Sequence, residues 1–414
     1  MDIGALGVYL CLFLGLYFEV FLLISFLEQQ TPKKTVLRPR YYPTVTILVP
    51  CWNKEKTLAA TVHSLLALEY PKKKLEIVII DDGSTDDTYK TAMQFAVHPQ
   101  VKVFKKENEG SKFSALNFGI TNSSGELVGC LDADSFVEPD ALIEMVKAFA
   151  ADPETMAVTP AMLVHRPRNL LELMQAVEYT VGVFFKKAFD YLGAIWVIPG
   201  PFSIYRREVF TQVGNFRKAH HTEDMEMAFR MHEHKLKIVN AHTAHVHTTV
   251  PRTVGALIRQ RTRWSQGFLG NSLDYKHLFF NPQYGNLGLF ALPSGLFVFI
   301  AGIYGGLYLL YMTLSNAVRA VYDAYTTQVP FVFNFSLPSL DWFFMPLDML
   351  TFLSLTVISI TLVVIYFGKR IGGNVKLGGL ALVSYLMFFS LLGPLWLMRA
   401  AWDTALARDT GWLT

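Results

Sequence analysis

The chain has 414 residues, 52% of them hydrophobic and only 17% charged, which is too apolar for an ordinary soluble protein of that length. Its 37 basic and 34 acidic residues nearly cancel, leaving a formal charge of +3, so bulk electrostatics give no case for a nucleic-acid partner. The composition points instead to a membrane protein, and the odd set Cys11, Cys51 and Cys130, with no metal-ligand spacing, fits reduced thiols and a cytosolic soluble region.

From Ala5 to Leu27 the sequence is apolar apart from Glu19, long enough to cross a hydrocarbon core of about 30 Å at about 1.5 Å per residue. No basic segment precedes it and no small-residue cleavage site follows, so it reads as a spanning helix rather than a removable signal. A lone charge in lipid is costly, so Glu19 is expected to be paired or to face a polar cavity. Lys33, Lys34, Arg38 and Arg40 follow at once, which marks the cytoplasmic side and places the N-terminus outside.

Between about Val45 and Ala241, short β-branched runs alternate with helix-like stretches. "VTILVP", "LEIVII", "VKVF", "ELVGCLD" and "KIVNA" read as strands, and helices are expected to start near Thr57, Asp86, Ser111, Pro139 and Leu170. This alternation predicts a mostly parallel sheet with helices on both faces and ligands beyond the carboxyl ends of the strands.

Acids fall at those ends. Asp81 and Asp82 close one strand ahead of Gly83 and Ser84, and can accept hydrogen bonds from a base or ribose; the alternative is a turn in which Ser84 or Asp86 caps the next helix. Asp132 and Asp134 end another strand, and in an extended chain residues two apart point the same way, so both can face one hard cation such as Mg²⁺ or Mn²⁺. Neither glycine-rich phosphate-binding pattern is present, which makes a metal the natural holder of a nucleotide diphosphate. Glu223 and Asp224 sit at the start of a further helix, either as complements to its dipole or, for Asp224, as a general base. His242, His245 and His247 alternate as metal ligands can, but lack a fourth ligand and read better as a satisfied or solvent-facing set.

After Val250 an amphipathic helix is expected, with Val254, Leu257, Ile258, Phe268 and Leu269 on one face. On it Gln260, Arg263 and Trp264 lie at i, i+3 and i+4, so amide, guanidinium and indole reach one place. Arginine neutralises a departing diphosphate and an indole stacks on a sugar ring; the alternative is a basic helix on anionic lipid, a task open to Arg259 and Arg261. Further spans are expected at about Leu287 to Leu314, Met349 to Phe367 and Leu377 to Met398, with the basic link of Lys369, Arg370 and Lys376 inside. The segment "VPFVFNFSLPSLDWFFM", broken by Pro338 and Asp341, reads as interfacial or re-entrant.

Taken in order, "VPCWNKE", "DDGSTD", "NEGSKFSALN", "DAD", "TED" and "QRTRW" make the chain resemble family 2 glycosyltransferases of GT-A fold, in particular the membrane-embedded processive synthases of hyaluronan, chitin, cellulose and poly-N-acetylglucosamine. The resemblance covers about Thr46 to Gly267. It implies donor contacts from Asp82, Lys112, Asp132, Asp134, Gln260 and Arg263, with Asp134 and then Asp132 on Mg²⁺ or Mn²⁺. It implies that Asp224 is the base and that Trp264, Glu223 and the loop at Gly200 meet the acceptor. The chemistry is displacement at the anomeric carbon with inversion, from a UDP-sugar, with UDP-N-acetylglucosamine or UDP-glucose favoured. Departures are Lys54 where the family often has Glu, Trp52 for its Tyr or Phe, and one extra residue before Lys112.

The expected layout is a spanning helix over 1–30, a cytosolic GT-A domain over 31–250, interfacial helices over 251–285 and about three spans over 286–414. The expected activity is extension of a polysaccharide and its export through an integral membrane protein, the plasma membrane being favoured, with membrane lipids as further partners and no nucleic acid. Two rivals remain: single transfer to a lipid acceptor, as in ceramide glucosyltransferases, and a non-enzymatic pore or scaffold with a degenerate nucleotide-binding domain.

Overall fold

The computed structural model describes residues 3–28, 39–328, 348–373 and 375–406. Lys33, Lys34, Arg38 and the segment "VPFVFNFSLPSLDWFFM" lie outside the described residues. Helix α1 (Ile3–Glu28) precedes eight strands: β1 (Val45–Cys51), β2 (Leu75–Asp82), β3 (Val101–Lys106), β4 (Leu127–Cys130), β5 (Ser135–Val137), β6 (Thr155–Val164), β7 (Ile204–Arg206) and β8 (Lys237–Thr248). Between them run α2 (Leu58–Leu66), α3 (Thr88–Met93), α4 (Lys112–Thr121), α5 (Ala141–Ala151), α6 (Leu170–Tyr191), α7 (Arg207–Gln212) and α8 (Glu223–Glu233). Then come α9 (Val254–Asp274), α10 (Leu292–Thr327), α11 (Met349–Ile371), α12 (Gly379–Ser384) and α13 (Ser390–Ala405).

The strands form one sheet in the order β3-β2-β1-β4-β7-β6-β8-β5. β3, β2, β1 and β4 are parallel neighbours, as are β6 and β8. A parallel sheet covered on both faces needs unbroken apolar runs, and Ile47 to Val49 and Ile77 to Ile80 are all at most 1% exposed. α2 and α5 pack one face, while α4, α7 and α8 pack the other. The expected parallel character holds, but β5, β6 and β7 were not legible: two have three residues, and β6 is interrupted by Pro160 beside a register shift. β7 and β5 supply the antiparallel pairs.

Three helices among the described residues are long and apolar enough to cross a membrane: Gly4–Glu28, Leu287–Thr327 and Met349–Ile371. The fourth expected span is instead two helices, Gly379–Phe389 and Leu391–Ala405, bent by 44°. A π-helical stretch at Tyr385–Phe389 accounts for the break. The protein is an integral membrane protein. Glu19 of α1 lies against Thr361 of α11, which gives that buried carboxyl a polar neighbour. α6 docks the sheet to the spans: the Phe184 ring lies 5.1 Å from that of Phe26 in α1 and 6.4 Å from that of Phe367 in α11.

Candidate active site

The acids gather where the parallel strands end. β2 runs straight into Asp81 and Asp82, both buried. Lys106 of the neighbouring β3 donates to Asp82 Oδ1 at 2.8 Å, whereas Asp81 Oδ2 is buried with no hydrogen-bond partner. Asp86 accepts from the Thr88 amide at 3.0 Å at the start of α3, the helix-start contact expected of this loop.

The segment after β4 is a turn, not the extended chain expected: the Ser135 amide donates to the Asp132 carbonyl at 2.9 Å. Ala133, 2% exposed, is turned into the core, and the carboxyls of Asp132 and Asp134 remain 32% and 26% exposed. Each carries its own lysine. Lys112, at the start of α4, lies 2.5 Å from Asp132 Oδ1, and Lys54 lies 2.6 Å from Asp134 Oδ2.

Lys112 also reaches Glu223 Oε1 at 3.6 Å, which joins the strand-end acids to the start of α8. Burial pushes the Glu223 carboxyl up to about 7, opposed by Lys112; burial likewise raises Asp224, again against Lys112. Burial pulls Lys112 down, but Asp132, Cys130 and Glu223 outweigh it and hold the ammonium well above its ordinary range. Asp224 Oδ2 accepts from the Gly200 amide at 3.3 Å and Oδ1 from the Met225 amide at 2.8 Å. Gly200 leaves room for the lysine, because a Cβ would meet Lys112 Nζ at 2.5 Å and displace it from its present position.

Three consecutive residues before α8 adopt left-handed backbone: Ala219 (φ 40°), His220 (51°) and His221 (62°). Such conformations cost roughly 1–2 kcal/mol per residue, so something must hold them. α9 does: Asn271 Nδ2 donates to Thr222 Oγ1 at 2.9 Å, and His220 Nε2 lies 2.9 Å from Asp274 Oδ2. Gly267 allows this approach, since a Cβ there would overlap the Thr222 side chain. Gln260, Arg263 and Trp264 lie one to two turns before Gly267 on the same helix, Trp264 being 36% exposed. Arg261 corrects the lipid reading: it is buried, ion-paired to Glu178 at 2.7 Å, with its guanidinium 4.2 Å from the Trp264 ring centroid. The apolar face of α9 is likewise covered, Leu257 and Phe268 packing into the protein, although Val254 is exposed.

Residues 43–267 match the model of the glycosyltransferase-like family 2, more than half of the chain. The chain belongs to glycosyltransferase family 2. A poly-beta-1,6-N-acetyl-D-glucosamine synthase of Staphylococcus epidermidis strain RP62A is 31% identical over 297 residues, 71% of each chain. A second synthase of that name from the same species is 29% identical over 334 residues, 79% of this chain and 80% of its own. Among solved structures, a mannosyltransferase from Pyrobaculum calidifontis in complex with GDP-Man and Mn²⁺ superposes with TM-score 0.63 at 18% identity, covering 97% of this chain and 99% of its own. The glycosyltransferase thus has a GT-A fold joined to membrane helices, and the reading as a non-enzymatic pore or scaffold is overturned by family membership.

The donor chemistry, hard carboxylate oxygen, suits a divalent cation. Asp132 and Asp134 of the glycosyltransferase offer part-exposed hard oxygens, and among the described residues no third His, Cys, Asp or Glu joins them. That suits Mg²⁺ or Mn²⁺ held by one or two carboxylates and completed by phosphate and water. In the histidine run, His245 Nδ1 and His247 Nε2 share Glu138 at 3.0 and 2.9 Å, while His245 Nε2 is buried without a hydrogen-bond partner. The partners that sequence reasoning missed are Lys106, Glu138 and Glu178, each some 20 to 110 positions from its mate, a separation that no local pattern reports.

Proposed function

We propose that the protein transfers N-acetylglucosamine from UDP-N-acetylglucosamine to the end of a growing polysaccharide, with inversion, and passes the product outward. The observation that carries this reading is the 31% identity, over 71% of both chains, to a poly-beta-1,6-N-acetyl-D-glucosamine synthase. In this reading the catalytic domain faces the cytosol and the N-terminus lies outside.

Asp224 takes the proton of the acceptor hydroxyl. Its two oxygens are already oriented by the amides of Gly200 and Met225, and burial supplies the proton affinity a base needs. Asp82, beside the orphaned Oδ2 of Asp81, recognises the uridine part of the donor. Lys112, Gln260 and Arg263 carry the diphosphate, and Trp264 presents its ring to the acceptor. Asp132 and Asp134 hold Mg²⁺ or Mn²⁺, which when bound neutralises charge on the departing diphosphate. Glu223, turned inward against Lys112, acts on the proton affinity of its neighbour rather than through the acceptor contact expected from sequence.

The test is nucleotide release by purified protein with Mn²⁺ or Mg²⁺ and UDP-N-acetylglucosamine, UDP-glucose, UDP-galactose or UDP-glucuronate in turn, with products sized on a gel. A long polymer from UDP-N-acetylglucosamine alone is expected. A single-sugar, lipid-extractable product would move the assignment to a lipid acceptor and remove the export role.

A further inference from the structure

α6, capped by Asn169, carries Glu172, Gln175 and Glu178 at three-residue intervals that wind slowly around the helix. Each meets the chain that enters and forms α9. Asn169 Nδ2 donates to the Arg252 carbonyl at 3.2 Å, Glu172 pairs with the Arg252 guanidinium at 3.0 Å, and Gln175 Nε2 donates to the Pro251 carbonyl at 2.8 Å. Glu178 ends the row on Arg261 at 2.7 Å, with Tyr179 beside the same guanidinium. Arg261 is three residues before Trp264, so both lie on one side of α9, and its guanidinium covers the indole at 4.2 Å. Its Nε is buried without a hydrogen-bond partner, so the edge nearest the helix is held by stacking rather than by a donor contact. Trp264 nevertheless remains 36% exposed.

We propose that Arg261 is a positioning residue: clamped by Glu178, it fixes the plane of the Trp264 ring, so that α6 of the catalytic domain sets the register at which the acceptor meets the base. The planar fork of arginine does both tasks at once, hydrogen-bonding along its edge and stacking with its face, which a lysine cannot. The proposal rests on the reading that Trp264 meets the acceptor.

The experiment compares Arg261→Lys, Glu178→Gln, Trp264→Ala and the Arg261→Lys/Trp264→Ala pair in the full-length protein. The readouts are KM for short N-acetylglucosamine oligomers as acceptors, KM for UDP-N-acetylglucosamine, and product length. Arg261→Lys is expected to raise the acceptor KM about tenfold and shorten the product, with donor KM changed less than about twofold, the range of a desolvated cation–π contact. Glu178→Gln, which keeps an acceptor for the guanidinium and the shape of the side chain, is expected to move the same quantities by a smaller factor, and serves if Arg261→Lys does not fold. On the Trp264→Ala background Arg261→Lys is expected to add nothing. If Trp264→Ala leaves the acceptor KM unchanged, the reading of Trp264 fails and takes the proposal with it. If Trp264→Ala raises it but the Arg261 and Glu178 variants do not, raise the donor KM in parallel, or add in full to the tryptophan change, the proposal alone fails.

Discussion

Two groups of carboxylates share Lys112, and they are built differently. Asp132 and Asp134 stand at the rim of the sheet, part-exposed, Asp134 facing the exposed side chain of Lys54 and Asp132 the buried one of Lys112. At the start of α8 Glu223 is buried and Asp224 half-buried beside it, and loss of hydration holds both carboxyls above their ordinary range. Asp134, whose lysine is exposed, is suited to exchange that partner for a metal ion. A buried carboxylate is suited to take up and release a proton. Residue type alone does not separate these roles; the depth at which the backbone leaves the carboxyl does.

The comparison breaks if the buried pair can be neutralised without consequence. Asp224→Asn is expected to lower turnover by roughly 10²–10⁴-fold while binding of the nucleotide sugar, followed by calorimetry, stays within about twofold. At the rim, Asp134→Asn is expected to raise the Mn²⁺ concentration for half-maximal activity by about tenfold or more, since one of only two protein donors is lost. The proton affinities offer a finer probe. With Asp224 as the proposed base, turnover requires its carboxylate form, which burial disfavours, so activity is expected to rise with pH along a limb lying above the usual carboxylate range. Lys112→Met removes the cation that opposes burial at Asp224 and is expected to move that limb up. Because the Glu223 value rises from 4.5 to about 7 on folding, its contribution favours the folded protein at low pH and declines as pH rises through that window. The smallest effect is the most diagnostic of the rim. Lys54→Gln frees Asp134 from a part-exposed ion pair worth up to about 1 kcal/mol, so Mn²⁺ is expected to half-saturate at up to about fivefold lower concentration.

Much of this was legible from the chain itself. Continuous runs such as "LEIVII" announce a buried parallel strand, and the acids that follow mark its functional end. The helical spacing of Gln260, Arg263 and Trp264 likewise survives in α9. What failed did so for physical reasons. β5 and β7 are too short to show alternation, and the turn at Asp132 to Ser135 looks extended because Ala133 follows an apolar strand. Arg261 reads as a lipid-facing cation because the carboxylate that neutralises it lies 83 residues earlier, on α6. Glu223 was placed correctly beside Asp224, but its inward rotation depends on Lys112, on a different element of the fold.

The left-handed turn at Ala219 to His221 has a practical side. Three residues kept in a costly backbone conformation behave as a compressed spring, and the catch is α9, through Asn271 and Asp274. α9 in turn packs against α13, one of the helices of the membrane region. A detergent that loosens α13 is therefore expected to release the catch first and to part Asp224 from the Gly200 amide while the sheet is still intact. Extracted protein is expected to go silent with its circular dichroism spectrum unchanged, and returning it to a bilayer to restart it.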